Sequence, residues 1–186
     1  RLRSTNTCFY CRSPQPLHRG HVWTTFRGNN KRDGTSKLFV SSGLRYGWHR
    51  SVRYPVKSSP IVANGHVYIG TMGGEIFAFN RNGELIVSSG QDSFCNLPGE
   101  IISTPCYDNG TLYVGTKSGY LCALDCLKAE NVAPARDDLE GGIVASLLIE
   151  GDFLFVATIG GRLYCLFKDT LETHWVYPEF STLSLA

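Results

Sequence analysis

Two cysteines and two histidines near the start of the chain have the types and spacing of metal ligands. Cys8 and Cys11 are separated by two residues, as are His18 and His21, with six residues between the pairs. Thiolate sulfur and imidazole nitrogen are the usual ligands of tetrahedral zinc. The Cys-x-x-Cys spacing fits a zinc site, whereas the central gap and the His-x-x-His spacing differ from the common zinc finger. Two interpretations stay open: a small zinc site, or metal-free side chains in a flexible basic arm.

The rest of the sequence contains no recognisable catalytic motif. It has no Gly-rich phosphate loop, no nucleophile elbow and no His-Glu-x-x-His helix. His49, His66 and His174 are far apart, and each lies beside a predicted strand, where packing or surface exposure is the simpler role. We therefore predict that the chain is not an enzyme, and that it has no cofactor apart from the candidate zinc ion.

The strongest pattern is a segment that occurs three times. The copies are SSPIVANGHVYIGTMGGEIFAFN at 58–80, STPCYDNGTLYVGTKSGYLCALD at 103–125 and ASLLIEGDFLFVATIGGRLYCLF at 145–167. The first two copies start 45 residues apart and the last two 42 residues apart. A period of roughly 40–50 residues is typical of propeller blades.

Each copy predicts short strands joined by tight turns. The runs are rich in β-branched and aromatic residues, and Asn64-Gly65 and Asn109-Gly110 favour two-residue hairpin turns. A fourth strand is predicted at 84–88 and at 172–177, whereas 127–139 is predicted to be an irregular insertion in its place. Four antiparallel strands per repeat form a propeller blade. The predicted fold is all-β, a partial β-propeller of about three four-stranded antiparallel blades with a leading outer strand.

The repeat resembles that of the PQQ-like β-propeller family over about residues 23–177. The resemblance rests on the Ser-Pro, Gly, Tyr, Gly-Thr and Gly positions of the copies, on WTTFRGNNKRDGTS at 23–36, and on a tryptophan-docking run that ends at Trp175. Trp48 stands where the docking tryptophan of a preceding outer strand is expected. The blade-motif residues that the resemblance implies are Trp48, Pro60, Tyr68, Gly70, Gly74, Pro105, Tyr113, Gly115, Gly119, Phe155, Gly161 and Trp175.

Quinoprotein dehydrogenases of this family hold a quinone on the propeller axis, and commonly use adjacent cysteines, a calcium ion and a catalytic Asp. This sequence has no Cys-Cys pair, and its acidic residues fall mostly in predicted turns. The resemblance is therefore to the non-catalytic members.

Tyr68, Tyr113 and Phe155 occupy one position in successive copies. Such a set could stack on a ligand, but a residue that recurs once per blade is more simply an inter-blade packing residue. Trp48 and Trp175 are likewise interpreted as packing residues.

Charge divides the chain into a basic start and an acidic remainder. Residues 1–57 carry a net charge of +11 and residues 58–186 carry −9, within a total of +2. We predict a basic N-terminal arm over 1–37 and a partial PQQ-like propeller over 38–186. The arm either binds an acidic protein surface or RNA, or it folds back on the acidic propeller of its own chain.

Three blades are too few to close a ring, since a propeller needs at least four. We expect two open apolar faces, which are sticky unless another chain covers them, or unless the polypeptide is a fragment. The leading hypothesis is a non-catalytic scaffold that binds the protein subunits of a larger complex through these faces and the arm. The alternatives are a fragment of a quinone-dependent dehydrogenase and an RNA-associated subunit of an organelle ribosome.

The start of the sequence and its cysteines bear on location. The basic, acid-poor run RLRST is similar to the end of an organelle transit peptide, so we expect a mitochondrial protein. Seven cysteines, three of them within strand patterns, favour a reducing compartment. No apolar run is long enough for a membrane span.

Overall fold

The computed structural model describes residues 23–35, 46–87 and 92–178. These residues contain no helix, and their strands form three antiparallel sheets. The strands are β1 (Ile61–Ala63), β2 (His66–Gly70), β3 (Glu75–Phe79), β4 (Cys95–Asn96), β5 (Cys106–Asp108), β6 (Thr111–Gly115), β7 (Leu121–Asp125), β8 (Leu148–Glu150), β9 (Phe153–Ala157), β10 (Leu163–Phe167) and β11 (Thr173–Tyr177).

The three sheets are successive blades, each built in chain order from its inner to its outer edge. Blade one is β1–β4, blade two β5–β7 and blade three β8–β11. The inner hairpins turn where Asn-Gly predicted them: Asn64 and Gly65 have φ of 50° and 77°, and Asn109 and Gly110 have 45° and 92°. Positive φ at both central residues matches the right-handed twist of the flanking strands. The predicted all-β partial propeller is confirmed.

The outer edges of the blades differ from one another. β11 falls within the predicted 172–177, and segment 127–139 is the predicted irregular insertion, since it meets β7 only through isolated bridges at Asn131 and Arg136. The continuous strand predicted at 84–88 is wrong. In blade one, Leu85 makes a single bridge to Phe79, and β4 completes the sheet further along the chain. Residues 93–96 pair with β3 because Phe94 is anchored in the core. Its buried ring packs 5.7 Å from the ring of Tyr68.

Two apolar cores lie between the blades. The core between blades one and two buries residues such as Tyr68, Ile76 and Leu112, and the core between blades two and three buries Tyr113 and Leu154. Burying a large apolar side chain stabilises a fold by about 1.5–3 kcal/mol. The blades therefore hold one another in place.

The outward face of blade one is covered by the chain itself. Phe77 and Phe79 on this face are only 7% and 4% exposed. The Trp48 ring lies 5.8 Å from that of Phe79, and the backbone N–H of Met72 donates to the carbonyl of Pro55. Residues 46–60 form no strand, and the remainder of the predicted leading strand lies outside the described residues. The expectation of two open faces is therefore wrong at this end of the stack.

Residues 23–35, here called the inner segment, cross the inner edges of all three blades. Trp23 exchanges two backbone hydrogen bonds with Val62 of β1, and the Thr24 carbonyl accepts from the N–H of Tyr107 in β5. At blade three, the Arg32 guanidinium donates to the carbonyl of Ser146 at 3.0 Å, and the Asn30 amide donates to that of Ile149. The described part of the basic start is thus bound to backbone carbonyls of the propeller.

Candidate functional site

The exposed face of blade three carries a cluster of apolar side chains. This blade-three face consists of Phe153, Phe155, Leu163, Phe167 and Trp175, which alternate along neighbouring strands and so project to one side of the sheet. Leu163 is 37% exposed, and Phe167 and Trp175 are each 39% exposed. Contiguous apolar surface of this kind marks an interaction site more often than isolated apolar residues do.

Two of these five positions are buried in the other two blades. Tyr68 and Ile76 of blade one are fully buried against blade two, and Tyr113 and Leu121 of blade two are buried against blade three. Their counterparts in blade three are Phe155 and Leu163, and no described residue covers them as the next blade covers the others. The face is therefore built like an inter-blade surface.

Aromatic contacts keep this face ordered. The Phe155 and Trp175 rings lie 6.1 Å apart, and those of Phe153 and Phe167 lie 5.5 Å apart. The His174 ring stacks on Phe153 at 5.0 Å. Beside these rings, a groove of about 500 Å³ is lined by Leu163, Trp175, Val176 and Tyr177. A preformed aromatic surface loses little side-chain entropy when a partner binds.

Where two blades pack together, hydrogen bonds and an ion pair join the facing side chains. The Tyr68 hydroxyl donates to the carbonyl of Cys126 in blade two at 2.8 Å, and the Tyr107 hydroxyl donates to Asn64 at 3.0 Å. Burial is the main cause that raises the pKa of the Tyr68 phenol, which keeps it protonated as a donor. Between blades two and three, the Lys168 ammonium lies 2.9 Å from the Asp108 carboxylate, and this bond raises the pKa of Lys168.

The glycines of the blade motif allow close approach. A Cβ on Gly70 would lie 2.3 Å from Ile101, and one on Gly115 would lie 2.5 Å from Ile143. Gly74, Gly119 and Gly161 have positive φ in the turns between second and third strands. Of the two prolines, Pro105 is buried whereas Pro60 is exposed.

The candidate zinc ligands Cys8, Cys11, His18 and His21 lie outside the described residues, so the zinc site stays a prediction. Within residues 23–35, 46–87 and 92–178, no three His, Cys, Asp or Glu side chains come together as metal ligands. The five cysteines described there are free, and burial raises the pKa of Cys106 and Cys122. The described residues also include no helix long and apolar enough to cross a bilayer.

The inner edges of the blades do not fit a quinone on the axis. The inner segment already bonds to strands or turns of all three blades there. A pocket of about 270 Å³ beside it is lined by Thr24, Asn30, Tyr107, Asp108, Asn109 and Ile149. A planar cofactor would have to displace the inner segment, and the carboxylate of Asp108 is paired with Lys168.

Sequence reasoning identified Phe155 and Trp175 but interpreted both as packing residues. It missed Phe153, Leu163 and Phe167 as parts of the same surface. A signal was present for Leu163, because its counterparts Ile76 and Leu121 in the earlier copies are also large and apolar.

Comparisons with known proteins agree with this architecture. A family model described as outer membrane protein assembly factor BamB matches residues 45–133. No curated protein matches the sequence. BamB from Moraxella catarrhalis shares the fold with a TM-score of 0.57 and 17% identity, over 70% of this chain and 39% of its own.

Two dehydrogenases are also similar in structure. The quinohemoprotein alcohol dehydrogenase ADHIIG from Pseudomonas putida matches with a TM-score of 0.67 and 18% identity, over 84% of this chain and 26% of its own. The quinohemoprotein alcohol dehydrogenase from Comamonas testosteroni matches with a TM-score of 0.66 and 19% identity. This match covers 86% of this chain and 27% of the dehydrogenase. At these identities the likeness establishes the fold alone. The chain spans less than half the length of each of these three structures.

Stacked antiparallel blades, built in chain order from inner to outer edge, define the class: a partial β-propeller. The family-model match over residues 45–133 agrees with the resemblance to the PQQ-like propeller family that the sequence predicted.

Proposed function

We propose that this chain is a non-catalytic interaction scaffold that binds partner proteins through the blade-three face. The single observation that carries the proposal is the exposure of Leu163, at 37%, where its counterparts Ile76 and Leu121 are fully buried between blades. Large aromatic side chains in such a surface are typical anchors of protein interfaces. The matching family model also bears the name of an assembly factor.

The alternative of a quinone-dependent dehydrogenase fragment is not favoured. Structural likeness to quinohemoprotein dehydrogenases is below 20% identity and concerns the fold. The inner segment occupies the edge at which an axial cofactor would be held.

We further propose that the partners belong to a larger mitochondrial complex, and that the basic start of the chain contacts an acidic protein surface or RNA. The charge split of +11 against −9 supports the second part. An RNA contact would weaken steeply with salt, because each neutralised phosphate releases counterions. Cell fractionation and salt-dependent binding to a single-stranded RNA test these two statements.

Affinity purification of the tagged chain from its native cells tests the main proposal. We expect co-purifying proteins that are retained by wild type and by Leu127→Ala, an exposed apolar residue elsewhere (64% exposed), but lost with Trp175→Ala. A wild-type chain that migrates as a free monomer would contradict the proposal. So would dye-linked alcohol oxidation that appears when quinone is added to the purified chain.

A further inference from the structure

Residues 46–57, here called the cover segment, carry positive charge and no negative charge. Their sequence, YGWHRSVRYPVK, contains Arg50, Arg53 and Lys57 but no Asp or Glu, whereas residues 58–178 contain six Lys or Arg and fourteen Asp or Glu. All three cationic residues are exposed. One end of an acidic propeller therefore presents a basic surface.

The cover segment is held on blade one through neutral groups. The carbonyl of Pro55 accepts from the N–H of Met72, and the Arg50 guanidinium donates to the carbonyl of Gly83 at 2.6 Å. A bond to a carbonyl leaves the charge of the guanidinium in place, with further N–H groups that can donate to a second partner. Attachment to blade one therefore neutralises none of these charges.

The cations of the cover segment are largely free of carboxylates. Among the described residues, the only acidic side chain at ion-pair distance from them is Asp92, whose carboxylate lies 3.7 Å from the Arg53 guanidinium. These two side chains are 64% and 93% exposed, so the pair is weak. This part of the basic start does not fold back on acidic side chains of its own chain, and its charges are available to a partner.

Two exposed tyrosines are interleaved with these cations. Tyr46 is 76% exposed and Tyr54 is 43% exposed. The Tyr54 ring lies directly on the backbone of Gly73, where an added Cβ would clash with it. The Tyr46 hydroxyl bonds to the imidazole of His49, and the two rings lie 6.0 Å apart. Both tyrosine rings are thus held in place with part of their surface open to solvent.

The cover segment has the length of a short binding site for a nucleic-acid strand. It contacts the turns on either side of β3, at Gly73 and at Gly83, so it runs the length of this five-residue strand. At about 3.3 Å per residue that length is roughly 17 Å. A stacked strand rises about 3.4 Å per nucleotide, so roughly five nucleotides fit along it.

We propose that the cover segment binds single-stranded RNA, with its three cations on phosphates and the rings of Tyr46 and Tyr54 stacked on bases. Guanidinium groups match the geometry of phosphate oxygens, and stacking on aromatic rings is open to every base. The exposed rings favour RNA over an acidic protein surface, because a carboxylate has no flat face to stack. The inference rests on the proposed contact of the basic start and specifies its partner and residues.

Fluorescence anisotropy with the purified full chain tests the charges. The probe is a labelled single-stranded RNA of mixed sequence and about 12 nucleotides, within the usual range of site sizes. Replacing Arg53 and Lys57 together by Gln should reduce the slope of log K against log salt by about 1.4, since each phosphate contact on a single strand contributes about 0.7. Replacing Lys117 and Lys128, two exposed cations of blade two, by Gln is the matched control and should leave the slope unchanged.

The same assay tests the rings. Tyr54→Ala should weaken binding roughly tenfold at an unchanged salt slope, because it removes a stacking surface and no charge. Tyr54→Phe keeps the ring and should bind as wild type does. Tyr177→Ala, which removes a tyrosine that is 68% exposed at the other end of the stack, should also bind as wild type does. Tyr46→Ala repeats the test at a more exposed side chain, in case Tyr54→Ala does not fold.

Wild-type affinity and slope in all the cover-segment variants would overturn the inference and leave an RNA contact elsewhere in the basic start. Equally tight binding of a duplex RNA would refute the stacking, since paired bases cannot reach the rings. If poly-glutamate displaced the RNA at equal charge and Tyr54→Ala behaved as wild type, the partner would be an acidic protein surface instead. No RNA binding at about 50 mM salt would remove both this inference and the proposed RNA contact, whereas co-purification through the blade-three face would be unaffected.

Discussion

Gly83 is the residue whose lack of a side chain matters most at the covered end of the stack. We expect Gly83→Ala to destabilise the chain by about 2–4 kcal/mol, because positive φ costs about 1–2 kcal/mol and the new methyl group displaces Trp48. Gly110→Ala is the matched control, since Gly110 has φ of 92° and no atom near its Cβ position. Urea unfolding should show a clearly larger loss for Gly83→Ala. Equal losses would mean that backbone strain alone explains the effect.

Tyr68 should make the stability of the fold depend on pH. Its buried hydroxyl bonds to Cys126, so Tyr68→Phe should cost about 1–2 kcal/mol at pH 7. Burial raises the pKa of Tyr68, so the folded state favours the protonated phenol. That contribution is complete below the pKa of an unfolded tyrosine, about 10, and is lost as pH rises above it, by up to about 1.4 kcal/mol per pH unit.

Alkaline urea unfolding checks this sign. Between pH 9 and 11 the wild type should lose more stability than Tyr68→Phe, whereas Tyr177→Phe should follow the wild type because Tyr177 is 68% exposed. The buried thiols of Cys106 and Cys122, whose pKa values are also raised, add a slope common to all three proteins. Identical pH slopes for wild type and Tyr68→Phe would contradict the assignment.

At the scale of elements, strands and hairpins were predictable because they depend on local residue patterns. Asn64-Gly65 and Asn109-Gly110 predicted two hairpin turns, and the alternation of apolar residues predicted the strands around them. The cover over blade one was not predictable. Trp48 and Tyr54 come from an irregular segment without periodicity, and their contacts with Phe79 and Gly73 depend on the folded arrangement. β4 was missed for the same reason, since only the core shows where Phe94 must lie.

The inner segment is the element that joins all three blades, and backbone hydrogen bonds of this type leave no signature in sequence. Removing two of its side-chain bonds with Asn30→Ala and Arg32→Ala together should destabilise the chain by about 2 kcal/mol. Hydrogen exchange should quicken in β8, next to the Ser146 and Ile149 carbonyls that lose their donors. Lys31→Ala, in the same segment but exposed, should change neither quantity. Unchanged exchange in the double variant would show that the segment does not hold blade three.

At the scale of the whole molecule, the described stack is asymmetric. One end is covered by residues 46–57, and the other presents aromatic rings to solvent. In this asymmetric stack, the only exposed inter-blade surface within the described residues is the blade-three face. Association of the isolated chain should therefore depend on that face more than on the scattered apolar residues elsewhere.

Sedimentation velocity of the purified chain tests this asymmetry. Without a partner, we expect weak, concentration-dependent association driven by apolar contact, which should strengthen rather than weaken as salt is raised. Trp175→Glu should suppress it, because a carboxylate in the centre of the face is costly to bury without a cation. Leu127→Glu adds the same charge at a side chain that is 64% exposed on blade two and should leave association unchanged. If both substitutions suppressed association equally, net charge rather than the blade-three face would be responsible, and the single-face interpretation would be lost.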